Sequence, residues 1–412
     1  MRITNSMLVN NFMRNLNSNL TRMDGLQNML ATGRKFAHIS DDPSALIYSQ
    51  AARNNLARLS HYQRTVQSAQ DRLEQAEAGL MELQRILADA YVETINASTD
   101  VKTDSDRQNI SAAIGQLREH FIVTLNTTFG DKYVFSGYNS PGDSFGGEVT
   151  GPFTVSEDGQ RLLFNGFDLT AIDGMTDTRR AEIDSIDLTA YPLPLAPPGT
   201  ALDFTRVTIA DLHNPNLTTN DLNALLEGPG APFPGLTDAQ WDALRADQEF
   251  NDKLTMNMFD SLLSDVLTFD VGPAISMPVS VNGIDVVFFR TTNDDGEVVI
   301  RNIFNVINDL YNATKAPGST ALDVNIYIKP LREGQNHLLT KTAEIGGKTR
   351  RLELLEARYE QDIINYSRMK SDAEDVDFAE AIMLQKMAEA VYQASLSTGA
   401  RIIQPTLMDF LR

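Results

Sequence analysis

The sequence predicts a mainly α-helical fold: a long antiparallel coiled-coil rod built from both chain ends, with an inserted α+β middle domain. Three observations predict it. Apolar residues repeat at heptad spacing after residue 59, a similar spacing returns after residue 345, and the segment between them differs in composition. A helix with one narrow apolar face needs a partner helix to cover it, so we expect the two repeats to pair.

The first repeat lies in a stretch without proline between Pro43 and Pro141. Alternating spacings of three and four residues keep one side of a helix apolar over roughly 48 Å. The repeat consists of Leu59, Tyr62, Val66, Ala69, Leu73, Ala76, Leu80, Leu83, Leu87 and Ala90. Capping residue types between Ser98 and Asp106 then predict a second helix, which carries Ile110, Ile114, Leu117, Phe121 and Leu125.

The second repeat predicts the returning helix of the rod. Its members are Ile345, Leu352, Leu355, Tyr359, Ile363, Tyr366, Met369, Ala373 and Val376. Pro330 precedes the repeat, and a proline there implies that this helix starts late or is kinked. A chain that goes out along one helix and returns along the other brings its termini close together.

Amphipathic stretches at the two termini are predicted to form an assembly interface. A lone helix with such a stripe is marginal in water, so it orders by packing on another surface. The N-terminal stripe is Met13, Leu16, Leu20, Met23 and Leu30, and the C-terminal stripe is Ile402, Ile403, Leu407, Phe410 and Leu411. Ile382, Met383, Met387, Val391 and Leu396 extend the apolar pattern N-terminal to that second stripe.

The middle of the chain has a composition of its own. Residues 138–297 contain 26 Asp and Glu against 7 Lys and Arg, and 12 of the 16 prolines. Hairpins are predicted around Asp158-Gly159 and, from Ile284 to Ile300, around Asp295-Gly296, and Thr237 can open a short helix that carries Trp241. The predicted segments are 1–40 (assembly helix and spoke), 41–137 (rod helices), 138–297 (inserted domain), 298–376 (returning rod helices) and 377–412 (assembly helix).

The sequence offers no positive case for catalysis, a cofactor or a metal. Its five histidines, His38, His61, His120, His213 and His337, are dispersed, and no pair has the spacing of a zinc helix. Residues 291–302 superficially suggest a calcium loop, but Asn302 stands where a bidentate Glu is needed. The net charge of −20 argues against nucleic-acid binding. No apolar run is long enough to cross a bilayer, and no signal-peptide core follows Met1.

One segment carries a family resemblance. Residues 29–46, Met-Leu-Ala-Thr-Gly-Arg-Lys-Phe-Ala-His-Ile-Ser-Asp-Asp-Pro-Ser-Ala-Leu, resemble the signature of the flagellin-type axial proteins of bacterial flagella. The resemblance implies a helix that stops at Thr32-Gly33, an extended spoke over residues 34–39, and a rod-helix cap at Asp41, Asp42 and Pro43. Helix chemistry agrees, because Asp is a good N-cap and proline suits the first helical position.

Further features resemble the branch of this family that forms the junction between hook and filament. They are Pro43 after the paired Asp, residues 132–137 (Lys-Tyr-Val-Phe-Ser-Gly) with Pro141 and Phe145, and the C-terminal residues 400–412. The resemblance covers about residues 1–140 and 300–412. It implies a structural ring subunit, not an enzyme, which the flagellar type III system exports to the extracellular flagellum.

The implied partners are flagellin, hook-associated protein 1, further copies in a ring, and an export chaperone on about residues 379–412. Three alternatives stay open from sequence. A short flagellin would differ from a junction subunit in its gene neighbourhood. A filament-displayed enzyme would need a pocket in the middle domain with groups of shifted pKa. A cytoplasmic coiled-coil adaptor would be absent from sheared external appendages.

Overall fold

A computed structural model describes residues 5–36, 41–99, 102–130, 132–137, 151–192, 201–202, 204–214, 217–226, 236–264, 266–293 and 295–403. Most of these residues are helical, so the predicted mainly α fold is confirmed. The helices are α1 (Asn5–Thr32), α2 (Pro43–Ala97), α3 (Asp104–Leu125), α4 (Asp177–Asp184), α5 (Ile209–Leu212), α6 (Thr219–Leu226), α7 (Asp238–Ala246), α8 (Gln248–Ser264), α9 (Gly283–Val287), α10 (Ile303–Lys315), α11 (Ala321–Asn325), α12 (Ile328–Glu374) and α13 (Phe378–Ile403).

The chain divides into two compact units. The terminal unit comprises Met1–Arg64 and Leu355–Arg412, and the central unit comprises Thr65–Leu354. Both α2 and α12 contribute residues to each unit. The predicted division into five segments is finer than this partition and stays a prediction.

In the central unit, α2 and α12 run antiparallel. Arg332 Nη2 donates to the Tyr91 hydroxyl at 2.7 Å, and Gln84 Nε2 donates to Thr342 Oγ1 at 2.7 Å. The repeat on α2 is fully covered here, since each of its members in this unit is at most 1% exposed: Val66, Ala69, Leu73, Ala76, Leu80, Leu83, Leu87 and Ala90. Burying each leucine contributes about 1.5–3 kcal/mol. The left-handed supercoil expected from the heptads stays a prediction.

The predicted late start of the returning helix is wrong, because α12 begins at Ile328, before Pro330. Pro330 lies in the first turn of α12, where backbone N–H groups have no acceptor within the helix and proline costs little. On the outgoing side, α3 begins at Thr103, whose side chain forms a capping box with Asp106. Ile110, Ile114, Phe121 and Leu125 of α3 are buried, as the spacing predicts.

Among the described residues, small antiparallel sheets occur in the central unit only. The strands are β1 (Thr128–Phe129), β2 (Lys132–Tyr133), β3 (Phe153–Val155), β4 (Leu162–Phe164), β5 (Phe167–Asp168), β6 (Tyr191–Pro192), β7 (Ala201–Leu202), β8 (Thr268–Gly272), β9 (Ile275–Pro278), β10 (Phe288–Thr292) and β11 (Val298–Asn302). The predicted hairpin at Asp158-Gly159 is confirmed, with Phe153 opposite Phe164.

The second predicted hairpin is only partly correct. Strands β10 and β11 pair around Asp295-Gly296, but the preceding residues Ile284 to Val287 form the short helix α9 instead of a strand. The reason is Asn282, whose side chain caps this helix by accepting a hydrogen bond from the Ile284 N–H at 3.0 Å. An apolar run of this length does not distinguish a buried strand from a buried helical turn.

A separate core lies within the acidic part of the central unit. Trp241 on α7 is fully buried, and its ring meets that of Phe204 edge to face with centroids 6.2 Å apart. The indole N–H donates to Asn223 Oδ1 at 3.1 Å, so the polar atom of the buried ring is satisfied. The predicted helix at Trp241 is confirmed by α7, which follows Thr237.

In the terminal unit, a tight turn follows α1. Gly33 has φ +71°, a conformation that glycine adopts without strain, and its N–H donates to Met29 O at 2.8 Å. The next residues pair with the chain after α12: Lys35 N donates to Glu374 O at 2.7 Å, and Val376 N donates to Gly33 O at 3.0 Å. The turn and the end of α12 are thereby held together.

Glu374 ties three segments of the terminal unit together. Its side chain is 2% exposed, and its two carboxylate oxygens accept from Arg53 Nε at 2.5 Å and Nη2 at 2.7 Å. Ser49 Oγ donates to the same carboxylate. The hydrogen bonds from Arg53, one turn beyond Ser49 on α2, lower the pKa of Glu374 to about 2. We call this group the Glu374 clamp.

The clamp predicts an acid-sensitive contribution to stability. The ordinary pKa of this carboxyl is 4.5, so the contribution is fully present above that pH and is lost as pH falls toward about 2. We expect Glu374→Gln to lower the free energy of unfolding by about 1–3 kcal/mol near neutral pH. The expected loss is modest because Arg53 is partly exposed and solvent screens its interaction with the carboxylate. Urea unfolding followed by far-UV circular dichroism measures this difference, which should shrink as the pH approaches 2.

Glu360→Gln is the matched control, since Glu360 is an exposed carboxylate on the same helix of the same unit. This variant should unfold like the wild-type chain at each pH. A difference between Glu374→Gln and wild type that stays constant from neutral to acid pH would mean that the clamp carboxylate is not ionised against Arg53.

Candidate assembly surface

The two terminal helices, α1 and α13, pack against each other in antiparallel orientation. Phe12 near the start of α1 lies against Gly399 near the end of α13, and Gly33 after α1 lies beside Phe378 at the start of α13. A methyl group at position 399 would overlap the Phe12 ring, so the close approach of the helices requires glycine there. The pair therefore has a defined register.

Each helix buries only a narrow face in this pairing. On α1 the less exposed residues follow heptad spacing: Phe12, Leu16, Asn19, Met23, Leu26 and Leu30. On α13 the less exposed residues mix small and larger side chains, and they are Ala381, Leu384, Gln385, Ala388, Tyr392, Ser395 and Gly399. Small side chains such as Ala381 and Gly399 let the two backbones approach, and most of the larger apolar residues of α13, apart from Leu384 and Tyr392, stay exposed.

The larger side chains of α13 form what we call the outer surface. Its members are 44–57% exposed: Phe378, Ile382, Met383, Met387, Val391 and Leu396. Met383, Met387 and Val391 recur every four residues and so line one flank of the helix, and Phe378, Ile382 and Leu396 line the other flank. Clustered exposed apolar side chains of this size are typical of surfaces that bind another protein.

The structure places the predicted N-terminal interface residues in two environments. Leu16, Met23 and Leu30 are half-buried on the face of α1 that packs against α13. Met13 and Leu20 are exposed, at 48% and 38%, and point away from that face. The predicted stripe thus mixes residues used within the chain with residues that stay available to a partner.

The predicted C-terminal interface residues lie at or beyond the C-terminal end of the described part of the chain, which is residue 403. Ile402 and Ile403 are the last residues of α13 in the structure, which does not describe their side chains. Leu407, Phe410 and Leu411 lie outside the described residues. Their role in assembly stays a prediction.

The paired aspartates stand directly before the rod helix. Asp42 Oδ1 accepts from the backbone N–H of Ser44 and of Ala45, both at 3.0 Å, which is N-cap geometry. Pro43 is the first residue of α2, and Asp41 is exposed in the turn before it. Within the predicted spoke, residues 34–39, Phe36 is buried and residues 37–39 lie outside the described residues.

Sequence reasoning missed the Glu374 clamp. Ser49 and Arg53 lie one turn apart on α2, and Glu374 belongs to an acidic run that resembles an exposed helix end. A pairing across more than 300 positions leaves no local pattern, although an aligned rod would have placed these residues opposite each other. The sequence predicts an apolar pattern for the residues of the outer surface, but it does not reveal that they form the exposed side of a helix pair.

Within the described part of the chain, no three His, Asp or Glu side chains are grouped closely enough to hold a metal ion. None of the described helices combines the length and the apolar character needed to span a bilayer. The exposed apolar side chains in the described part of the terminal unit are suited to contact with other proteins.

Comparison with known proteins identifies relatives of the first third of the chain. Residues 3–140 match the family model for the bacterial flagellin N-terminal helical region. A flagellin of Clostridium tyrobutyricum is 26% identical over 126 residues, which are 31% of this chain and 33% of the relative. Flagellar hook-associated protein 3 of Escherichia coli K12 is 26% identical over 145 residues, which are 34% of this chain and 44% of the relative.

The matched segments thus span less than half the length of these curated relatives. Among solved structures, the flagellar junction protein FlgL from Legionella pneumophila is similar at a TM-score of 0.45 with 12% identity, over 80% of this chain and 100% of that chain. The residues that match the family model include the Gly33 turn, the Asp42 cap and the whole repeat on α2. The match of residues 3–140 to the bacterial flagellin N-terminal helical region confirms, over this part of the chain, the resemblance seen in the sequence.

Proposed function

We propose that this chain is a structural subunit of the bacterial flagellum that forms the ring joining the hook to the filament. The observation that carries the proposal is the combination of a flagellin N-terminal helical region with a terminal helix pair that keeps an apolar outer surface. A subunit of a tubular assembly must cover such a surface with its neighbours. Two relatives that support the junction role bear the name flagellar hook-associated protein 3.

The proposed partners follow from this position. Further copies of the chain would lie beside it in the ring, with hook-associated protein 1 on the hook side and flagellin on the filament side. The exposed side chains of α13, such as Met383 and Met387, would favour aggregation before assembly. An export chaperone bound over about residues 379–412 would shield them until the flagellar type III system delivers the chain to the cell exterior.

The proposed role is architectural and requires no chemical step by the subunit. What it requires is binding energy, and apolar contacts between copies supply it. Full burial of an exposed methionine or leucine is worth about 1.5–3 kcal/mol, whereas a surface ion pair is worth roughly 0–1 kcal/mol. Assembly should therefore depend on the outer surface more than on the charged residues between its members.

A short flagellin is the second candidate, and the match to a clostridial flagellin favours it. The two functions differ in where the protein lies on a flagellum. An epitope inserted after Pro317, in the exposed turn between α10 and α11, reports that position on intact cells by immuno-electron microscopy. A junction subunit gives one label at the base of the filament, and label along the whole filament would overturn the junction role.

The outer surface gives a direct mutational prediction. Met387→Asp combined with Val391→Asp places two charges on one flank of α13, where we expect them to prevent incorporation into the ring. In cells that depend on the variant, filaments should be missing and flagellin should accumulate in the medium. Electron microscopy and immunoblots of the medium measure both outcomes.

Gln393→Asp with Ser397→Asp is the matched control, because it places the same charges on exposed polar positions of the same helix. This variant should build filaments. Circular dichroism of both purified variants should match wild type, since none of the four side chains is buried in the chain. Normal filaments with the Met387 and Val391 variant would remove this flank from the assembly account.

A further inference from the structure

The central unit contains a cleft that the assembly role does not use. Its volume is about 580 Å³, and it lies among α8, the β10–β11 hairpin and α12. Its apolar lining includes Phe259, Leu263, Phe288 and Phe289, and polar side chains of α12 complete the wall. Volumes of this size are typical of small-molecule or side-chain binding sites.

Glu333 on α12 lines this cleft and lacks a partner. Its Oε2 atom is buried and receives no hydrogen bond, and the carboxylate forms no ion pair with the described residues. A carboxylate oxygen taken out of water without a donor costs free energy, so such a group is seldom retained without a use. A donor that enters the cleft from outside the chain would satisfy it.

Several other polar groups of the cleft have partners within the chain, and Arg290 Nη2 lies 3.7 Å from Asp177 Oδ1. His337 Nε2 donates to Asp285 O at 2.8 Å, and the Asp285 carboxylate accepts from Lys341 Nζ at 2.7 Å. Arg180 Nη2 donates to Asp260 Oδ1 at 2.8 Å. Because a carbonyl only accepts, His337 Nε2 carries its hydrogen and the ring presents Nδ1 as a further acceptor.

These groups favour a cationic ligand in the cleft. Glu333 offers negative charge, and His337 is largely neutral near neutral pH because burial lowers its pKa. Two aromatic side chains of the lining, Phe259 and Phe288, meet edge to face with centroids 5.0 Å apart and form part of its apolar wall. A charged donor on a carboxylate and an apolar group on aromatic rings are both favourable contacts.

We propose that this cleft binds a cationic group, an ammonium or a guanidinium, carried on an apolar stem, with Glu333 as its counter-ion. The cation would come either from a small free amine or from a basic side chain of another polypeptide. The proposal does not depend on the junction role, because it concerns only groups of the central unit.

Binding is tested on the full chain with two probes. One is 2-phenylethylamine, with 2-phenylethanol as its uncharged analogue, and the other is the capped dipeptide acetyl-Lys-Phe-amide. Isothermal titration calorimetry and ligand-observed NMR measure both. We expect each cationic probe to bind, the alcohol to bind about tenfold or more weakly, and Glu333→Gln to lose the preference for charge. Tighter binding of 2-phenylethylamine would indicate a small free amine as the natural ligand, and tighter binding of the dipeptide would indicate a basic side chain of another polypeptide.

Glu344→Gln is the control, since Glu344 is an exposed carboxylate on the same helix outside the cleft, and it should bind the amine like wild type. Glu333→Gln should also be at least as stable as wild type, because it removes an unpartnered charge. Equal binding of amine and alcohol, or no binding of either cation, would overturn the proposal. A marked drop in the melting temperature of Glu333→Gln would do the same, since it would reveal a structural partner such as Arg290.

Discussion

The whole structure depends on helices that cannot bury their apolar faces alone. Each end of the chain supplies a long helix with a narrow apolar stripe, and the only sequence of comparable length and pattern is at the other end. Antiparallel pairing of α2 with α12 in the central unit covers the repeat on α2, whereas the pairing of α1 with α13 in the terminal unit leaves the outer surface of α13 exposed. The acidic middle can then fold as an insertion with its own core around Trp241.

Polar contacts set the register within the terminal unit. Apolar stripes alone tolerate a shift by one heptad, because the repeat looks the same after seven residues. The Glu374 clamp does not tolerate it, since its carboxylate must meet both Ser49 and Arg53 on α2. The Gly33 turn adds a second fixed point beside the clamp. Once that register is set, most of the large apolar residues of α13 face outward, and Leu384 and Tyr392 are the larger side chains of its less exposed face.

Much of the fold could be predicted from the sequence because heptads, caps and turns are local signals. The burial of the α2 repeat, the capping box of α3 and the hairpin at Asp158-Gly159 all follow from spacing and residue type. The sequence does not predict the helix at residues 284–287, because a short apolar run fits a strand or a helical turn equally well. In the structure the side chain of Asn282 caps the helical turn.

The candidate surface was less predictable than the fold. Periodicity identifies an apolar face, but it does not reveal whether that face meets the same chain or a neighbour. Leu16 and Leu20 belong to one predicted stripe, yet Leu16 packs within the chain and Leu20 stays exposed. The Glu374 clamp and the unpartnered Glu333 both depend on contacts between elements far apart in sequence, where no local pattern exists.

The central claim is that copies of the chain cover the outer surface of α13 when they assemble. Because the chain contains no cysteine, Met387→Cys gives a single reactive thiol on that surface, and Pro317→Cys reports access to the α10–α11 turn. Both should react rapidly with a maleimide in the purified monomer. In sheared hook–filament preparations, we expect Met387→Cys to be protected from the maleimide while Pro317→Cys still reacts. Equal reaction of Met387→Cys in monomer and assembly would contradict it.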